Sequence, residues 1–158
     1  MFGLFKAKKQ VIQSPTDGQL VELESVPDEV FSTKLAGDGL AIIPMSNTFV
    51  APVSGTLTKI FSTNHAFSIQ TNSGLEVLVH IGLDTVNLNG EGFKRLATEG
   101  DRVSVGDPII SADIEFIESK GKDIITPIVF NYEKELTLSN FNERTVREGE
   151  SIVEVTFK

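Results

Sequence analysis

Three features of the sequence predict an all-β fold, a compact sandwich-like antiparallel barrel with a duplicated motif and one or two very short helices. Turn residues interrupt the chain at short intervals, and β-prone runs lie between them. One turn phrase occurs twice, which points to two related units packed together. Apolar residues at helical spacing are scarce. The β-prone runs are Leu40–Ile43, Thr56–Phe61, Ala66–Ile69, Val77–Ile81, Val103, Ile109–Ser111, Ile128–Phe130 and Ile152–Phe157.

Residues 1–10 combine Phe2, Leu4 and Phe5 with Lys6, Lys8 and Lys9. They are expected to form a flexible tail, capable at most of weak contact with an anionic membrane surface. The domain proper, residues 11–158, begins near Val11. The repeated phrase is Ser14-Pro15-Thr16-Asp17-Gly18-Gln19-Leu20 and Ala51-Pro52-Val53-Ser54-Gly55-Thr56-Leu57. In each copy Pro opens a turn and a new strand follows Gly. A weaker echo aligns Glu99-Gly100-Asp101-Arg102-Val103 with Glu148-Gly149-Glu150-Ser151-Ile152. The two helical candidates, 93–97 and 114–120, are each good for a turn or two.

Composition removes several function classes. A formal charge of −8 and a pI near 4.7 leave no basic stripe to neutralise phosphates, so no nucleic-acid partner is expected. A basic protein partner fits better. With no cysteine there is no disulfide, thiolate metal site or catalytic thiol. No apolar run approaches a membrane span and no secretory signal is visible, so a soluble cytoplasmic protein is expected. Gly37-Asp38-Gly39 and Gly90-Glu91-Gly92 lack the Lys and the helix of a phosphate-cradling loop. No Gly-x-Ser-x-Gly elbow is present for acyl transfer.

Both histidines of the chain, His65 and His80, fall in one stretch, 63–84, on either side of the turn signal Thr71-Asn72-Ser73-Gly74. A hairpin centred between Asn72 and Ser73 pairs residues whose numbers sum to 145, which sets His65 opposite His80. Centring it on Ser73-Gly74 makes them diagonal neighbours, and an odd-length loop puts them on opposite faces. Two imidazoles on a surface of Phe67, Ile69 and Leu78 suit either a metal site or a nucleophilic imidazole. Zinc needs a third ligand, for which Asp28, Asp38 and Asp84 are the candidates. No intrinsic metal or cofactor is expected, although His65 and His80 together offer an opportunistic zinc site. Phosphoryl carriage uses the same parts. One imidazole attacks and holds the group, the second hydrogen-bonds it, and the Thr63 hydroxyl orients a ring.

Several phrases closely resemble the glucose-type IIA component of the bacterial phosphoenolpyruvate-dependent sugar phosphotransferase system. They are Gly37–Pro44, Ala51–Gly55, Thr63–Ile69, Val79–Val86, Gly90–Phe93 and Gly100–Asp107. The resemblance runs from about Val11 to the C-terminus and implies an all-β duplicated fold. It also implies a phosphotransferase component acting through a phosphohistidine. In that reading His80 is the nucleophile, accepting from the carrier HPr and donating to a cysteine of a IIB domain. His65 assists transfer and Thr63 orients His65. Asp28 and Asp84 match the flanking acids, while Phe31, Leu35, Ala36, Phe61, Leu78 and Val86 match an apolar docking rim. Regulatory protein targets are a further possibility. The chain departs from the family in its short N-terminal tail and in Leu78 and Ala36, which puts membrane tethering and partner preference in question rather than the chemistry. Two other classes share parts of the pattern. A biotinyl or lipoyl carrier needs a lysine at a hairpin tip, where this chain has Asn72-Ser73, and a zinc-binding hydrolase on a related β fold needs further ligands.

Overall fold

The computed structural model describes residues 7–158, and the expectations that rest on residues 1–6 lie outside it. Fourteen strands run in order: β1 Lys8–Gln13, β2 Gly18–Glu22, β3 Asp38–Pro44, β4 Thr48–Val50, β5 Gly55–Ile60, β6 Ala66–Gln70 and β7 Glu76–His80. They continue as β8 Phe93–Arg95, β9 Arg102–Val103, β10 Pro108–Ala112, β11 Thr126–Asn131, β12 Leu136–Ser139, β13 Thr145–Val146 and β14 Ser151–Phe157. Among the described residues two short helices, α1 Glu29–Ser32 and α2 Ile114–Ser119, and 3-10 turns at Leu23–Ser25 and Thr85–Leu88 join these strands. All strand pairs are antiparallel. The main sheet has the order β13-β2-β3-β11-β7-β6-β5-β9, and two three-stranded sheets, β1-β14-β12 and β4-β10-β8, close the sandwich. The all-β reading is therefore observed.

Alternation along the main sheet divides its side chains between two apolar clusters. Leu40, Ile42, Phe67, Ile69, Val77, Val79, Ile128 and Phe130 point into the large core between the sheets. Ala41, Leu78 and Val129 point the other way, where Leu23, Val26, Phe31, Leu83 and Ile125 cover them. Burying each large apolar side chain stabilises the fold by about 1.5–3 kcal/mol. The second cluster is the smaller of the two, and it forms the floor on which the histidines stand.

The duplicated phrase is a structural repeat. Gln13 N–H donates to the Pro52 carbonyl (3.0 Å), and Val50 N–H donates to the Pro15 carbonyl (2.8 Å), so the two copies bind each other reciprocally. Gly18 and Gly55 have the same reason to be glycine. A Cβ at Gly18 would lie 2.3 Å from the Ile43 carbonyl oxygen, and one at Gly55 would lie 2.2 Å from that of Gln70. The weaker echo has a different alignment from the one expected. Gly149 and Glu150 correspond to Gly106 and Asp107, not to Gly100 and Asp101. The turns at Glu150, Asp107 and Asp101 are all closed by the acid's carboxylate accepting from the N–H three residues before it, and strand pairing decides between them: Val146 opposes Gly18 as Val103 opposes Gly55. The Glu150 and Asp107 turns then each bond an equivalent phrase, with Gly149 N to the Ser14 carbonyl and Gly106 N to the Ala51 carbonyl.

Three further expectations need correction. Lys8, Lys9 and Gln10, assigned to the tail, are paired in β1 with Phe157, Thr156 and Val155. Their backbone groups extend the ladder that Val11 and Ile12 begin. The segment 93–97 is not helical, because Phe93–Arg95 pairs with β10 and buries only Phe93. The segment 114–120 does supply a helix, α2, which Asp113 caps by accepting from Phe116 N (3.0 Å). The third correction concerns the histidine hairpin.

Candidate functional site

Strands β6 and β7 pair Ala66 with His80, Phe67 with Val79 and Gln70 with Glu76, so paired numbers sum to 146 rather than 145. Thr71 N–H also bonds the Leu75 carbonyl (2.9 Å), leaving Asn72-Ser73-Gly74 as a three-residue loop with Gly74 at φ +94°. Three-residue hairpins place glycine at such a left-handed position. The loop is thus odd-length, and strict alternation would separate the imidazoles. They meet nonetheless, with ring centroids 5.0 Å apart at an interplanar angle of 81°. The reason is that His65 stands just before β6, outside the strand. Asn64 before it has φ +62°, so regular pleating ends here, and His65 keeps one ladder bond, its carbonyl accepting from Ile81 N (2.7 Å).

Each ring is held by its Nδ1 atom. His80 Nδ1 lies 2.7 Å from the Gly82 carbonyl oxygen. A carbonyl only accepts, so Nδ1 carries a proton, and the neutral ring keeps its lone pair on Nε2. The Gly82 carbonyl is itself fixed. Gly82 has φ +77°, a Cβ there would lie 2.6 Å from Thr85 Cγ2, and Thr85 Oγ1 donates to the Ile81 carbonyl (2.6 Å). His65 Nδ1 lies 2.6 Å from Thr63 Oγ1, the partner expected for it.

Burial disfavours the charged form of both rings. His65 is 4% exposed, and burial first and the adjacent His80 second lower its pKa from 6.5 to about 4. Burial also pushes His80 below its ordinary value. The Gly82 carbonyl, then the carboxylates of Asp28 and Asp84, pull the other way by favouring a cationic ring. Asp28 is half-buried and Asp84 exposed at the edge of the site. Asp28 caps α1 by accepting from Val30 N (2.9 Å), and Asp84 is a left-handed residue at φ +56° opening the 3-10 turn.

The aromatic rim extends the histidine pair into a row. Phe31 packs on His80 with centroids 5.1 Å apart, and Phe61 meets His65 edge-on at 5.4 Å. Leu78 and Ala36 are half-buried against the cluster that contains Phe31. Val86 and Leu35 are exposed, at 48% and 77%. Val86 lines a shallow cavity with Phe61, Thr63 and His65. The geometry adds two residues that sequence reasoning missed. Val30 precedes Phe31 on α1 and is 49% exposed, and Gly82 anchors His80. An exposed valine beside an N-capping aspartate, and a glycine two residues after a histidine, are the faint signals that mark them. Asp38 does not join the site. Its carboxylate is 3.4 Å from Lys34 Nζ and accepts from Gly39 N. Among the described residues no three His, Cys, Asp or Glu side chains gather to hold a metal.

Comparison with known proteins follows the same lines. The chain is 46% identical over 148 residues to the "PTS system glucose-specific EIIA component" of Haemophilus influenzae, covering 94% of this chain and 89% of that protein. It is 44% identical over 149 residues to the component of the same name from Buchnera aphidicola subsp. Acyrthosiphon pisum, covering 94% and 92%. A 116-residue match at 51% identity links 73% of the chain to 18% of the "PTS system N-acetylglucosamine-specific EIICBA component" of Klebsiella pneumoniae. The solved structure of glucose permease IIA from Mycoplasma capricolum superposes with a TM-score of 0.88 at 42% identity, covering 93% of this chain and 96% of that one. Residues 10–136 match the family described as phosphoenolpyruvate-dependent sugar phosphotransferase system, EIIA 1, and the chain belongs to that family.

Proposed function

We propose that this phosphocarrier of the sugar phosphotransferase system takes its phosphoryl group from phospho-HPr onto His80 Nε2 and passes it to a cysteine of a IIB domain. The observation that carries the assignment is the Gly82 carbonyl on His80 Nδ1. It commits the proton to Nδ1 and leaves Nε2 with a free lone pair, the condition for a nucleophilic imidazole. In acceptance the Nε2 lone pair forms a bond to phosphorus while the donor's N–P bond breaks, and that electron pair returns to the donor imidazole. The phosphorylated ring then carries a positive charge through its retained Nδ1–H. The Gly82 carbonyl, Asp28 and Asp84 all favour a cationic ring at this position.

His65 acts on the phosphoryl oxygens. In the tautomer this role requires, the neutral ring is protonated at Nε2, which donates to the phosphoryl oxygens, and Nδ1 accepts from the Thr63 hydroxyl 2.6 Å away. In donation the IIB thiolate forms an S–P bond, the N–P bond breaks, and the electron pair returns to His80 Nε2. The donor from His65 stabilises the equatorial oxygens as the group passes between nucleophiles. The apolar row of Phe31, Phe61, Leu78 and Ala36, with Val86 and Leu35 outside it, serves as the docking surface and keeps water from the phosphoramidate. Its acidic border suits a basic partner. The fused EIICBA relative, which carries a segment like this chain beside its IIB and IIC parts, supports the choice of acceptor.

The test is to replace each histidine singly by glutamine. His80→Gln is expected to gain no phosphoryl group from phospho-HPr by intact mass at alkaline pH. His65→Gln is expected to accept, and then to donate slowly in a chase with a cognate IIB domain. Phosphorylation of His80→Gln at the parent rate would reverse the roles, and normal transfer by both variants would end the proposal.

A further inference from the structure

The structure assigns Arg95 as the positioning residue that holds His65 in place for transfer, through the turn Ile60–Asn64. This rests on the proposed role of His65. Arg95 lies on β8, paired with Ile110 of β10, and its side chain reaches across to the loop between β5 and β6. Its Nε donates to Asn64 Oδ1 at 2.6 Å, and its terminal nitrogen lies 3.4 Å from the Phe61 carbonyl oxygen and 3.5 Å from that of Ile60. One guanidinium thus gathers three acceptors of a single turn, a task for which its rigid planar fork is suited and an ammonium is not.

That turn decides where His65 points. The hairpin register places His65 on the wrong side for contact with His80 if β6 were extended by one residue. The left-handed Asn64 ends regular pleating just before it, leaving His65 only the bond from Ile81 N to its carbonyl (2.7 Å), and an asparagine holds φ +62° readily when its short side chain is hydrogen-bonded locally. Here Arg95 fixes the Asn64 carboxamide, and the Asn64 N–H bonds the Phe61 carbonyl (2.7 Å). Glu99 pins the start of the same segment by accepting from Ile60 N (2.9 Å). Thr63, which orients the His65 ring, lies inside the clamped turn. Loss of Arg95 therefore releases Asn64, Thr63 and the His65 ring together, while His80, held by Gly82 on the other side of the pair, keeps its own anchor.

The experiment uses the full chain and four variants, Arg95→Gln, Arg95→Lys, His65→Gln and the double variant Arg95→Gln with His65→Gln. Arg95→Gln is expected to accept from phospho-HPr at the parent rate and to slow donation to a IIB domain on the order of tenfold to a hundredfold, the cost of a misplaced transfer group. It is expected to slow the His65→Gln protein no further, since both changes act through one ring. Arg95→Lys keeps the charge without the fork and is expected to stay slow. Independently of transfer, nitrogen-15 NMR of the His65 ring should show Nδ1 losing its acceptor character in Arg95→Gln. Equal slowing in both backgrounds, equal loss of acceptance and donation, full rescue by lysine, or unchanged His65 nitrogens would each overturn the assignment. If His65→Gln alone donates at the parent rate, the role of His65 in transfer falls, and the ring nitrogens still decide whether Arg95 positions it.

Discussion

The neutral state of His65 has a thermodynamic signature. Its pKa of about 4 in the folded protein lies below the ordinary 6.5 expected in the unfolded chain. Between these values the unfolded chain binds the extra proton and the native state does not, so stability falls as pH drops from about 6.5 to about 4. Above pH 6.5 the contribution is fully present. The span from 6.5 to about 4, at about 1.4 kcal/mol per pH unit, gives at most about 3.5 kcal/mol, a large part of the 5–15 kcal/mol typical of a domain. Within the window the slope attributable to His65 approaches about 1.4 kcal/mol per pH unit. Urea unfolding of the parent and of His65→Gln at half-unit steps from pH 7.5 to 4 measures this directly. The variant should lose about one proton's worth of slope over this window. Identical slopes in the two proteins, or an NMR titration of His65 midway near 6.5, would refute the burial argument and with it the single neutral tautomer.

Other perturbations probe separate parts of the site. Thr63→Val removes the hydroxyl at constant shape, so donation to the IIB domain should slow while acceptance is kept, at a stability cost of about 1 kcal/mol by urea unfolding. Gly82→Ala forces a Cβ against Thr85 Cγ2 and the Asp123 carbonyl at φ +77°, and should cost more than about 1 kcal/mol and weaken acceptance, read by thermal melting and intact mass. Leu35→Asp and Val86→Asp plant charges on exposed rim positions, so they should raise the HPr concentration needed for half-maximal acceptance with an unchanged melting temperature. Leu78→Asp, half-buried against the Phe31 cluster, should instead lower the melting temperature, because an unpaired carboxylate meets an apolar floor.

Sequence patterning revealed most of the fold because alternation on a two-sided sheet writes the core into the chain. The runs around Leu40, Phe67, Val77 and Ile128 were legible for that reason. Short edge strands were not. Strands β4, β8 and β13 have two or three residues each, too few to show a period, and Phe93-Lys94-Arg95 with its single buried side chain reads equally well as a helical turn. Helix α1 is four residues long, and only Asp28 as its cap signals it. Proximity of His65 and His80 was anticipated, but by a register one residue in error. Gly74 moves the hairpin to an odd-length loop, and the left-handed Asn64 ends regular pleating just before His65. Two departures from regularity, each set by one residue's tolerance of positive φ, together place the rings side by side. Anchors made by backbone carbonyls, such as Gly82 on His80, carry no side-chain signature in the sequence at all.

The central claim is that Nε2 of His80, unprotonated because Nδ1 is committed to the Gly82 carbonyl, is the atom that carries the phosphoryl group. Nitrogen-15 and phosphorus-31 NMR of ring-labelled protein, phosphorylated from phosphoenolpyruvate through the two general phosphotransfer proteins, tests it most directly. The account predicts one phosphoryl group, coupled to Nε2 of His80, with a proton retained on Nδ1. Coupling to Nδ1 of His80, or to either nitrogen of His65, would contradict it.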